Sequence, residues 1–149
     1  MEIWTDASFD QQRKVAGLGI VIKKGIKEKT YSTWIPADNI NVAEIFAIYL
    51  ACVLSGGEKS TINTDSQTAL AYIKGEVREK PRTKSQYINH MTMKFWAYKI
   101  RKFNLYIEKI KAHQRNMHLP SLLNNEADIN AKKGLGKYYL TLQNKNRSR

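Results

Sequence analysis

The 149-residue chain predicts an α/β fold: a five-stranded mixed sheet, three antiparallel strands then parallel ones, with helices on both faces. Two observations carry this. Three β-forming runs stand in a row near the N-terminus, joined by short turns, as antiparallel neighbours are. Thereafter short β-rich runs alternate with apolar patterns at helical spacing, and a strand that follows a crossover helix returns in parallel.

Residues 2–8, EIWTDAS, form the first predicted strand, with Ile3, Trp4 and Thr5 leading into Asp6. VAGLGIVIKK (15–24) is the second, where Gly17 and Gly19 permit another backbone to come close. EKTYSTWI (28–35) alternates and is the third, joined to the second by a hairpin at Gly25. Beyond Pro36, NVAEIFAIYLACVLSGG places Val42, Ile45, Ile48 or Tyr49, and Cys52 at helical spacing, and Gly56–Gly57 stops the helix. STINT (60–64) is a fourth strand ending at Asp65, and SQTALAYIKG a short helix between Ser66 and Gly75. A basic connection, EVREKPRTK, leads to a helix from Ser85 to about Lys102, with Ile88, Met91, Phe95 and Tyr98 on one face. NLYIEKIKA (104–112) is the fifth strand. A loop from His113 to Leu123 then precedes a last helix around NNEADINAKKG. The reading is one domain over 1–136 and a basic, partly disordered tail over 137–149. Trp4, Trp34, Phe95 and Trp96 are assigned to the core, and Tyr138 and Tyr139 to packing on the sheet.

Composition narrows the class. No stretch is apolar for long enough to span a bilayer, and the N-terminus lacks a signal-peptide pattern. The single cysteine, Cys52, lies in an apolar run and reads as a core thiol, which points to a reducing compartment, the cytoplasm. The net charge of +12 is unevenly spread. Residues 1–73 carry seven basic and eight acidic side chains, residues 74–115 twelve and three, and residues 132–149 six and none. Two basic blocks flanking a nearly neutral body point to a polyanionic partner.

The acids then fall into a pattern. Asp6 lies in the first strand, Glu44 early in the first helix, Asp65 directly after the fourth strand and Asp128 in the last helix. Each has a bland explanation: a helix-dipole partner for Glu44, an N-cap for Asp65, an exposed helical acid for Asp128. Yet only thirteen acids exist, and these four share apolar surroundings on separate elements. Carboxylates are the hard ligands that magnesium or manganese prefers. Two such ions stabilise the attacking and leaving oxygens of an in-line phosphoryl displacement.

In order, TDAS, NVAE, TDSQ and KAH…NNEAD resemble type 1 ribonuclease H over about residues 1–135. The resemblance implies a ribonuclease H-like fold and hydrolysis of the RNA strand of RNA–DNA hybrids by two magnesium ions, with manganese able to substitute. It places Asp6, Glu44, Asp65 and Asp128 as the metal-binding carboxylates. His113 matches the family's proton-carrying histidine, with His118 as the alternative in the same loop. Asn41 and Gln67 match contacts to the hybrid's minor groove, and Asn124 an asparagine common at that helix start. A stand-alone enzyme is expected, since Met1 immediately precedes the first strand, and the expected state is a monomer. The alternatives are a related nuclease of DNA or junctions, or a catalytically idle binding module.

Two departures concern substrate grip. FDQQRKVAG replaces the Gly-rich loop that often follows the first aspartate, leaving Arg13 and Lys14 as candidate substitutes. KGEVREKPRTK is too short for the basic protrusion's extra helix but keeps its charge in Lys74, Arg78, Lys80, Arg82 and Lys84.

Overall fold

The computed structural model describes residues 1–110 and 119–147. Among these, the order is β1 (Glu2–Asp10), β2 (Val15–Lys24), β3 (Lys27–Pro36), α1 (Ile40–Leu54), β4 (Thr61–Thr64), α2 (Gln67–Lys74), α3 (Lys84–Arg101), β5 (Tyr106–Lys109) and α4 (Leu119–Arg147). The sheet runs β3-β2-β1-β4-β5. β1–β2 and β2–β3 are antiparallel, and β1–β4 and β4–β5 parallel, as the connection lengths predict.

Pleating sorts the side chains. Ile3, Ile20, Ile22 and Ile62 pack with Ile45, Ile48 and Cys52 of α1 and with Ile73, Met93, Ala97 and Ile100 of α2 and α3. Trp4 and Val21 point the other way, against Leu123 and Ala127 of α4. Burial pushes the Cys52 thiol up to about 12, so it behaves as a small core hydrophobe. Among the described residues, no helix is long and apolar enough to cross a membrane.

Two expectations need correction. The face of α3 is the first: Ile88, Met91, Phe95 and Tyr98 are exposed, and Met93, Ala97 and Ile100 are the buried set. Both faces of this helix carry apolar residues, so periodicity cannot choose between them. The side bearing Ala97 lets α3 approach the core closely, with Trp96 half-buried against Phe46 and Tyr49 at 4.9 Å each. Phe95 is therefore not a core residue.

The end of α4 is the second. Gly134 and Gly136 do not stop it, and the tail is helical to Arg147. Gly134 serves contact instead: a Cβ there would strike the Thr33 carbonyl of β3, and one at Gly17 or Gly19 would strike the α4 carbonyls of Ala131 or Ala127. The three glycines let α4 lie backbone-to-backbone on β2 and β3, the close approach expected of Gly17 and Gly19. Beyond them, Tyr138 meets Trp34 edge-on at 4.9 Å, and the Lys137 ammonium donates to the Ser32 carbonyl. Tertiary contacts thus pay the helical cost of two glycines.

Candidate active site

Register brings the first two acids together. In the parallel β1–β4 pair, Trp4 stands opposite Asn63. Two residues further along each strand lie Asp6 and Asp65, just where β4 has ended. Neighbouring strands are about 4.8 Å apart, so the carboxylates meet without any search by a loop. Carboxyl ends of parallel strands are where such folds place their ligands.

The capping residues remove two of the bland explanations. Ser66, not Asp65, caps α2, its Oγ accepting from the Ala69 N–H at 3.1 Å, and Gly75 closes that helix at φ 71°. Asn39 caps α1 by accepting from the Val42 N–H at 3.0 Å. Glu44 therefore lies beyond the first turn, whose acids would complement the helix dipole. It is instead buried against β1.

Asp6, Glu44 and Asp65 each offer a carboxylate oxygen, and these oxygens lie within 4.8 Å of one another. Asp6 and Glu44 are buried and Asp65 is half-buried. Burial, then the charge of Asp65 and a hydrogen bond with Asp128, raises the Asp6 carboxyl to about 7. Burial, then the charges of Asp6 and Asp65, raises Glu44 to about 10. The Ala7 N–H opposes both shifts without cancelling them. Glu44 Oε2 is buried with no hydrogen-bond partner among the described residues. A buried, mutually repelling carboxylate set with an orphaned oxygen fits a divalent cation, which supplies the missing countercharge. Asp128 sits at the edge, bonded toward Asp6 and ion-paired with Lys132 at 3.1 Å.

Beside the acids runs a cleft of about 1090 Å³, bounded by the start of α1, by α2, by the 77–82 connection and by α3. Asn41, Gln67, Lys80 and Arg82 line it. Lys14 and Lys84 face a second groove of about 500 Å³, which shares Asn89 with the first. Arg13 does not join them: it pairs with Asp10 at 3.2 Å and lies over the Tyr139 ring at 5.4 Å. Nor does Asn124 reach the surface, being 1% exposed, and its Oδ1 has no hydrogen-bond partner among the described residues. It is packed one turn before Asp128 and does not line either groove. His113 and His118 lie outside the described residues.

Sequence reading missed His90 and Asn89, which enter the cleft from α3, with His90 Nδ1 hydrogen-bonded to the Tyr72 hydroxyl at 2.9 Å. Their spacing with Gln86 and Met93 was the available signal, and it was obscured by the stronger apolar row on the opposite side. It also missed Tyr139, whose hydroxyl donates to Asp10 Oδ2 at 2.7 Å.

A buried carboxylate cluster at the carboxyl end of parallel strands, flanked by a basic cleft, defines a metal-dependent nuclease-type site. The RNase H family profile matches residues 1–136. The chain belongs to the RNase H family and is a ribonuclease H. Its fold is similar to that of RNase H1 from the halophilic archaeon Halobacterium salinarum (TM-score 0.70, 16% identity, covering 91% of this chain and 97% of that one). LC11-RNase H1, isolated from compost and solved with an RNA/DNA hybrid, gives a TM-score of 0.62 at 21% identity, with 93% and 98% covered. The protease–reverse transcriptase of prototype foamy virus gives 0.63 at 24% identity, with 89% of this chain but 20% of that one covered. Among curated proteins, none matches this sequence.

Proposed function

We propose that the chain hydrolyses the RNA strand of RNA–DNA hybrids at internal phosphodiester bonds, leaving 5′-phosphate and 3′-hydroxyl ends. Asp6, Glu44, Asp65 and Asp128 would hold two magnesium ions, with manganese able to substitute. One observation carries the reading: carboxylates from three elements converge within 4.8 Å beside a basic, amide-lined cleft. The hybrid-bound LC11 structure supports the substrate class.

Divalent ions, when bound, activate water at neutral pH and neutralise charge developing on the phosphate. The chain's own groups do the rest. Asp6 and Asp65 form a rigid pair because adjacent parallel strands hold them. Asn41 and Gln67, exposed in the cleft, are placed to exchange hydrogen bonds with 2′-hydroxyls in the wide minor groove of a hybrid. That contact selects which strand lies over the carboxylates. Lys80 and Arg82 in the cleft, and Lys14 and Lys84 across the second groove, neutralise backbone phosphates. His113, or else His118, is the candidate to deliver a proton to the 3′ leaving oxygen.

Labelled hybrid, single-stranded RNA and duplex DNA, each with magnesium, manganese or chelator, test the proposal. Cleavage of the hybrid's RNA strand alone, abolished by chelator, is expected. Asp6→Asn should lower the rate by at least about 10³-fold while hybrid binding survives. Equal cleavage of duplex DNA, or undiminished cleavage by Asp6→Asn, overturns it.

A further inference from the structure

α3 is apolar on two sides, and among the described residues only one of them is covered. Tyr87, Ile88, Met91, Phe95 and Tyr98 are between 47% and 56% exposed. Successive helical residues turn by about 100°, so Met91 and Phe95 lie about 160° around the helix from buried Met93. The exposed row is therefore the outward ridge. Its spacing, 87/88, 91, 95 and 98, is that of a helix face made to pack on another helix. A contiguous exposed ridge of this kind marks an interaction site.

Charge says what covers it. α3 contains Lys84, Lys94, Lys99 and Arg101 and no acid at all, and Lys102 follows as its C-cap. The Lys99 ammonium lies 5.5 Å from the Phe95 ring centroid and that of Lys102 4.5 Å from the Tyr98 centroid. Lys99 and Lys102 thus lean over the rings of the ridge, while Arg101 turns inward to the Tyr72 and Ile73 carbonyls. We propose that the outward face of α3 docks an acidic amphipathic helix of a partner protein, whose apolar row packs on Ile88, Met91, Phe95 and Tyr98 while its carboxylates pair with the flanking lysines.

A second copy of this chain fits poorly, because it would set lysines against lysines on a molecule of net charge +12. A stacked nucleic acid fits less well than a helix, because Ile88 and Met91 interrupt the rings and offer no face for a base. The hybrid cleft is elsewhere: Gln86, Asn89 and His90 enter it from the inner side of α3. The cleft beside the carboxylates thus stays open, and of the docking row only Ile88 borders the second groove, so a partner would tether the nuclease next to the Lys14–Lys84 edge of the substrate path without filling the cleft.

Two synthetic helical peptides distinguish the possibilities. Both carry leucines at i, i+3, i+4 and i+7, with glutamates between them in one and lysines in the other. Each is titrated into the full chain labelled at isoleucine and methionine methyls. The glutamate peptide should shift the Ile88 and Met91 methyls saturably, and the lysine peptide should bind at least about tenfold more weakly. Phe95→Ser should weaken the glutamate peptide about tenfold and leave hybrid hydrolysis unchanged. Lys94→Glu/Lys99→Glu should reverse the preference between peptides. Equal affinity for both peptides, or no shift of these methyls by the glutamate peptide at about 1 mM, overturns the proposal. Two further results would also overturn it: a shift of the Met91 methyl, which lines neither groove, by oligothymidylate alone, or a concentration-dependent dimer that Phe95→Ser dissolves.

Discussion

Asp6 shows what one residue can be made to carry. A carboxyl that ordinarily titrates near 3.8 is raised to about 7, first by burial and then by Asp65. The folded, metal-free protein therefore holds this proton more tightly than the unfolded chain does. Its contribution to stability is fully present below about pH 3.8 and is lost as pH rises toward about 7. In chelator the melting temperature should fall over the upper part of that window, where Asp10 and Glu58, held low by their partners, are already ionised and Asp6 and Glu44 are losing protons. Magnesium binds the ionised carboxylates, so the stabilisation it confers should grow over the same range. Thermal melts at several pH values, with magnesium or chelator, check both slopes. A metal-free stability that rises through the upper part of this window would show that the triad is not assembled as described.

At the scale of elements, the packing of α4 on β2 rests on Gly17, Gly19 and Gly134. Gly17→Ala would drive a methyl into the Ala131 carbonyl, and neither backbone can yield cheaply. A loss of roughly 2–4 kcal/mol in denaturant unfolding is expected. Gly25→Ala, at a turn with nothing within 4 Å of an added Cβ, carries only the strain of φ 61° and should cost about 1 kcal/mol. The helical extension past Gly136 has its own consequence. Tyr139 pins Asp10, and with it Arg13, at the base of the turn that carries Lys14 toward Lys84. Tyr139→Phe should raise KM for hybrid severalfold with kcat nearly unchanged; an equal fall in kcat would place this contact in the chemistry instead. The extension was not legible in the sequence, because glycine is a stop signal unless another backbone needs the room, and only the assembled sheet supplies that neighbour.

For the whole molecule, the charge distribution governs encounter. Lys14, Lys80, Arg82 and Lys84 surround the two grooves, while the acids gather at the end of β4. Hybrid affinity should fall linearly on a double-logarithmic plot against salt, and Lys80→Ala/Arg82→Ala should reduce that slope by about two. A slope unchanged by the double variant would remove these side chains from the substrate's path. The order of elements, and the three acids that the structure gathers, Asp6, Glu44 and Asp65, were legible in the sequence because their signals are local: strand and helix patterns, capping residues, and acids misplaced in apolar runs. What the sequence could not decide was which of two apolar faces α3 buries, whether Gly134 ends a helix or admits one, and whether Arg13 or Lys14 turns toward the grooves. Each of those outcomes depends on the residue across the gap rather than on the neighbour along the chain. The sequence therefore determined the fold and the positions of its clustered acids by itself, and tertiary packing alone decided which surfaces remain for substrate and partner.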